Sequence, residues 1–210
     1  MKKSSLLNVI LAVAVVVLVA KLCAGGAPPA PSSAVAPSSA VVDNILTRTS
    51  IRSYTADSVV DATMDTLLRA AMAAPSACDL RPWRFVVVDD RALLLTMADT
   101  LRTMQMLRQA PTAVVVCGDM SRTLDGDGKD YWIQDASAAT ENLLLAAHAA
   151  GLGAVWCGVT PQKSRVDFLS RLLQLPDSVV PLCVVALGYP AESPMPKDKW
   201  DASNVHHNAW

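Results

Sequence analysis

Residues 131–158 read YWIQDASAATENLLLAAHAAGLGAVWCG, and the architecture is decided here. Positions 131–150 are rich in alanine and leucine and free of proline, which predicts the longest helix of the chain. Gly151 follows, the residue type that takes a left-handed conformation just past a helix end. Residues 154–157 then form an apolar run of strand length. Apolar side chains lie nearly all round the helix, so it should be buried on most faces near the centre of the domain.

The same alternation extends in both directions. Residues 41–46 are a short apolar helical start. Met64, Leu67, Leu68 and Ala71 recur at helical spacing within 61–73, and that helix must stop before Pro75. Ser58 and Asp61, three apart, read as its capping box. Residues 85–88 are a strand, 91–104 a helix, and 113–117, after Pro111, a second buried strand. DGDG at 125–128 is a turn; it resembles half of a calcium loop but lacks the required glutamate. A helix over 164–174 and a core strand over 179–187 complete the pattern of an α/β or α+β domain.

The chain has 210 residues, a net charge of −1 and 52% hydrophobic residues, with charges interspersed. That balance argues against a nucleic-acid partner. Lys2 and Lys3 precede a 15-residue apolar run at 6–20, broken only by Asn8, as in an export signal. A bilayer span needs about 20 apolar residues. The run approaches that length if Lys21 snorkels and residues 22–24 join it, so cleavage after 24–26 and retention as a membrane anchor both fit. Lys21 and Leu22 argue against lipidation of Cys23. Residues 27–40, APPAPSSAVAPSSA, should form an extended linker. The expected division is therefore 1–26 signal peptide or anchor, 27–40 linker and 41–210 folded domain, exported to the periplasm or held at the membrane facing outward. The five cysteines form no disulfide framework. Cys117 and Cys183 read as buried, and Cys78 and Cys157 as free thiols lining loops.

Four clusters carry chemistry. Arg48-Thr49-Ser50-Ile51-Arg52 offers two guanidiniums and two hydroxyls, donors suited to a phosphate, although a solvated polar turn would look the same. Residues 74–83, APSACDLRPW, form a connection stiffened by two prolines between a helix and a strand. Residues 151–158, GLGAVWCG, place a helix end, a strand and a glycine together. Lys197 and Lys199 lie two apart in the tail after Gly188, on one side of an extended segment.

In order and spacing, RTSIR, APSACDLRPW, DASAATENLLLAAHAAGLGAVWCG and GYPAESPMPKDK resemble the motifs of the nitroreductase family, over nearly all of residues 43–210. The resemblance implies a three-layer α+β fold with a central, mostly antiparallel sheet flanked by helices. It also implies a homodimer with FMN at the interface. Arg48, Ser50 and Arg52, with Thr49 among them, would approach the flavin phosphate and its N1/C2-carbonyl edge, and Lys197 and Lys199 would close on the phosphate. Ser76, Ala77 and Asp79 would line the pyrimidine side, and Cys157 and Gly158 would offer backbone N–H groups to N5. The family commonly has Asn where this chain has Asp79 and Gln where it has Arg81. An aspartate can accept from flavin N3–H but cannot donate, and Arg81 would neutralise it.

The implied activity is transfer of hydride from a donor such as NAD(P)H, through flavin N5, to nitroaromatics, quinones or similar acceptors. A flavoprotein using another donor and a non-catalytic flavin-binding module are the alternatives. No side chain is needed as nucleophile and no metal is expected. His148 reads as structural, His206 and His207 as packing against a partner subunit, and the five tryptophans as core and interface anchors.

Overall fold

Among the described residues, mostly apolar runs form four strands, of which the central two are buried on both faces almost throughout. These are β1 (Trp83–Val88), β2 (Thr112–Asp119), β3 (Gly153–Gly158) and β4 (Val179–Gly188). They build one four-stranded sheet in the order β1-β2-β4-β3, antiparallel at every pairing. The structure, a computed structural model, describes residues 39–210. The leader, most of the linker and Cys23 lie outside the described residues.

Among the described residues, five α-helices accompany the sheet: α1 (Ser39–Thr47), α2 (Asp61–Met72), α3 (Arg91–Thr100), α4 (Tyr131–Ala149) and α5 (Lys163–Leu172). Successive residues of β2 point to opposite faces. Val114 and Val116 join Leu67 of α2 and Leu143 of α4 in one core, while Val115 and Cys117 join Leu94 of α3 and Leu169 of α5 in the other. The result is the expected α+β domain of three layers with an antiparallel central sheet. Helix α4 is buried along most of its length, from Trp132 to Ala147. Past its end Gly151 sits at φ +75°, the Gly151 N–H donates to His148 O at 3.0 Å and the Leu152 N–H donates to Ala147 O at 2.8 Å. That is a Schellman closure, and it aims the chain straight into β3.

Some expectations are corrected. Helix α1 starts at Ser39, inside the span read as linker. Ser58 caps nothing: α2 begins at Asp61 with Val60 as its N-cap residue. Val59 instead packs, half-buried, against the core just before the helix start. The helix read over 91–104 ends at Thr100, because Leu101 is extended (φ −111°, ψ 100°) and a 3-10 segment, Arg102–Arg108, follows. The break turns Met104 and Leu107 fully into the core, and that burial outweighs helix continuity. Cys157 lies buried in β3 rather than in a loop, whereas Cys78 is exposed; both are free. Trp83 and Trp132 are buried, but Trp200 and Trp210 are 75% and 100% exposed.

Candidate functional site

The segment after α1 runs along the open edge of β3. Ser50 bridges Ala154, and the Ile51 N–H donates to Ala154 O at 3.1 Å. Ile51 lies over Gly153, where a Cβ would sit 2.6 Å from Ile51 Cγ2, so only glycine admits this approach. The Tyr54 hydroxyl donates to Ile51 O at 2.6 Å, and burial drives its pKa upward. Ile51 and Tyr54 thus anchor the segment inward, while Arg52 is exposed.

The chain leaving β4 returns to the same segment. The Thr55 N–H donates to Tyr189 O and the Ala191 N–H to Ser53 O, each at 2.9 Å. Glu192 Oε1 then accepts from the Arg52 N–H at 2.5 Å and the Ser53 N–H at 3.1 Å. From this junction the tail carries Lys197 and Lys199 to a cavity of about 1090 Å³ that Arg48, Thr49, Ser50 and Arg52 also line. Glu141 and Asp198 are the acids in its wall, and Glu141 Oε1 stands 3.8 Å from Arg48 Nε. Four cations against two carboxylates leave the cavity net positive, and hydroxyls at Thr49 and Ser50 add neutral donors.

The other candidate residues sit on two further elements. Ser76 precedes a 3-10 turn, Ala77–Asp79, before β1. This loop is held by hydrogen bonds from the Ala77 N–H to Asp135 Oδ1 (2.9 Å) and from the Arg81 N–H to Ser76 Oγ (3.0 Å). Cys78, Asp79 and Arg81 all have positive φ (49°, 55° and 53°), a strained stretch for residues other than glycine. Arg81 grips Asp79 with both sides of its guanidinium, Nε lying 2.7 Å from Oδ1. That contact holds the carboxyl below its ordinary range, so the pair is neutral as expected.

Cys157 and Gly158 end β3. Because Ala154 O faces the 48–52 segment, strand alternation turns Gly158 the same way and Cys157 towards β4. Of the two backbone N–H groups read from the sequence, that of Gly158 points outward and that of Cys157 points into the sheet. Gly158 has open space where a side chain would be, and its carbonyl accepts from Arg165 at 2.7 Å. Burial pushes the Cys157 thiol up to about 11, against the pull of nearby Arg52 and Arg165. Glu192, Glu141 and Asp135 escaped the sequence reading; each is a lone acid whose partner is distant in the chain. Among the described residues no group of three or more His, Cys, Asp or Glu is placed to hold a metal.

Fold and site together define a three-layer α+β domain whose cationic cavity is lined on one side by the segment that follows β4. The family model described as "Nitroreductase family" matches residues 45–104 and 90–189. A relative from Methanothermobacter thermautotrophicus, provisionally named NADH dehydrogenase/NAD(P)H nitroreductase, is 43% identical over 171 residues, covering 81% of this chain and 87% of its own. A crystal structure from Bacteroides thetaiotaomicron with the same provisional name is 45% identical, with a TM-score of 0.77, covering 81% of this chain and 98% of its own. The FMN-dependent nitroreductase of Clostridium difficile is 30% identical with a TM-score of 0.74, covering 80% and 99%. This chain belongs to the nitroreductase family.

Proposed function

We propose that the chain is an FMN-dependent oxidoreductase that passes reducing equivalents from NAD(P)H to nitroaromatics, quinones or similar acceptors. The observation that carries this reading is the meeting, in one cavity, of Arg48, Ser50 and Arg52 with Lys197 and Lys199 from the other end of the domain. The donor set suits FMN. Arg48, Lys197 and Lys199 match a phosphate, and Ser50 adds a neutral donor. Arg52 supplies a cation for the N1/C2-carbonyl edge, where negative charge gathers on reduction. FMN, when bound, supplies the ring that accepts a pair of electrons from the donor and yields it to the acceptor.

The remaining residues orient and shield that ring. Gly158, with no side chain and an outward N–H, would leave room at the N5 side, and Arg165 steadies its peptide. Ser76, Ala77 and Asp79, which do not line the cavity of this chain, would meet the pyrimidine side; there Asp79, paired with Arg81, would accept a hydrogen bond and donate none. The working unit is a homodimer with FMN at the interface. Support comes from apolar surface left bare beside the cavity, where Ile45, Leu46 and Trp200 are 51%, 66% and 75% exposed. The N-terminal leader exports this domain, which works outside the cytoplasm, released or tethered by the linker; among the described residues no helix is long and apolar enough to cross a membrane.

The test is steady-state oxidation of NADPH and NADH by the FMN-loaded chain, with a quinone and a nitroaromatic as acceptors. Acceptor-dependent turnover with parallel double-reciprocal lines is expected, since donor and acceptor use one face in turn. Absence of turnover with either nucleotide contradicts the proposed reaction.

A further inference from the structure

Lys197 and Lys199 belong to a tail that its own protomer holds at few points. Every residue from 191 to 210 is solvent-exposed in the single chain, so packing within one protomer does not fix its path. Positions 190, 194 and 196 are proline, which removes main-chain donors from the stretch that must dock. The backbone pairing with residues 53–55 ends at Ala191. Immediately beyond it, Glu192 Oε1 takes two consecutive N–H groups, those of Arg52 and Ser53. No Lys, Arg or His forms an ion pair with Glu192 among the described residues. Its charge is directed at main-chain N–H groups of the 48–52 segment and its neighbour, which leaves the Arg52 guanidinium and both lysines to the cavity.

We propose that Glu192 is a positioning residue that pins the lysine-bearing tail to the arginine-bearing segment and so sets the preference of the site for phosphorylated over unphosphorylated flavin. The inference rests on the FMN reading above. Reach decides the effect: one carboxylate oxygen must meet two adjacent amides, and a side chain one methylene shorter cannot hold both while the tail keeps its course. With the pin gone the lysines lose their place, whereas the core, to which Glu192 contributes nothing, does not.

The test measures dissociation constants for FMN and for riboflavin, by quenching of flavin fluorescence, on the full chain in detergent and on Glu192→Asp and Glu192→Gln. Glu192→Asp keeps the charge and loses the reach; FMN should bind about tenfold more weakly, the scale of a lost charge-assisted contact. Riboflavin affinity and the unfolding midpoint of the flavin-free protein should stay at wild-type levels. Glu192→Gln keeps an acceptor oxygen at the right distance and should retain most of the preference for FMN. An unchanged FMN-to-riboflavin ratio in Glu192→Asp overturns the inference, as does equal weakening of both ligands with a lowered unfolding midpoint. Wild-type protein that binds neither flavin overturns the FMN reading itself, a result distinct from either.

Discussion

Replacing Gly153 with alanine tests how the cation-bearing segment is seated. The new methyl would lie 2.6 Å from Ile51 Cγ2 and 2.8 Å from Ile51 Cβ, far inside van der Waals contact. Ile51 is buried, tied by its N–H to Ala154 O and capped at its carbonyl by Tyr54, so it can retreat only by lifting residues 50–52 off β3. Relief needs a shift of about 1 Å, and overpacking of this kind costs roughly 1–3 kcal/mol. For a domain of this size that lowers Tm by roughly 2–12 °C. Because Arg52 moves with Ile51, FMN affinity should fall together with Tm. Ile51→Ala alone should cost about 2–5 kcal/mol through the cavity it leaves. In the double variant the added methyl occupies part of that space, so the loss is less than the sum of the singles; the Ile51 Cβ contact keeps the relief partial. Thermal unfolding and flavin titration of the four proteins of this cycle give the answer. Additive energies, or a Gly153→Ala protein with wild-type Tm and FMN affinity, would refute the seating of Ile51 on Gly153.

Other perturbations probe separate parts of the molecule. Glu141→Gln removes the acid facing Arg48 and should tighten FMN binding roughly twofold to fivefold, the range for a partly exposed pair; weaker binding on titration would show that Glu141 supports the site. Asp119 accepts from Ser121 and Arg84, and its carboxyl is held below its ordinary value of 3.8, first by the Ser121 hydroxyl. A depressed folded-state value gives stability that is present above the unfolded-state value and lost as pH falls through the folded one. Asp119→Asn should therefore melt below wild type at neutral pH, with the gap narrowing on acidification below the ordinary carboxylate value; a gap independent of pH would contradict this role. In a Cys23→Ser background, Cys78 should be the one thiol that reacts with a disulfide reagent in the native protein. Burial covers the other three and raises Cys117 and Cys183 to about 12 and Cys157 to about 11. Fast labelling of a second thiol without denaturant would show that a sheet cysteine is accessible.

Much of the fold was legible because its signals are local. The alanine- and leucine-rich run of α4, the glycine behind it and the apolar strands each show in a short window, and all lie where expected to within a few residues. Local reading failed where tertiary packing overrode it: Leu101 breaks a helical run to bury Met104 and Leu107, and half-buried Val59, packed against the core, displaces the Ser58 cap. The strand order β1-β2-β4-β3 is set by pairings between distant segments, which no window contains. The site was partly legible for the same reason. Its cations stand in recognisable motifs, but Glu192 is one glutamate in a proline-rich tail whose partner amide lies 140 positions earlier. The exposed Trp200 carries no local mark that separates it from a core tryptophan.

The central claim is that the cavity between residues 48–52 and the tail holds FMN that NAD(P)H can reduce. The visible absorption spectrum of the purified full chain, supplied with FMN and freed of unbound cofactor, tests it before and after anaerobic addition of NADPH or NADH. The account predicts flavin bands that stay with the protein and bleach with at least one of the two nucleotides, and retention that weakens in Lys197→Ala and Arg48→Ala. A protein that retains no flavin after reconstitution, or bands that neither nucleotide bleaches, would contradict it.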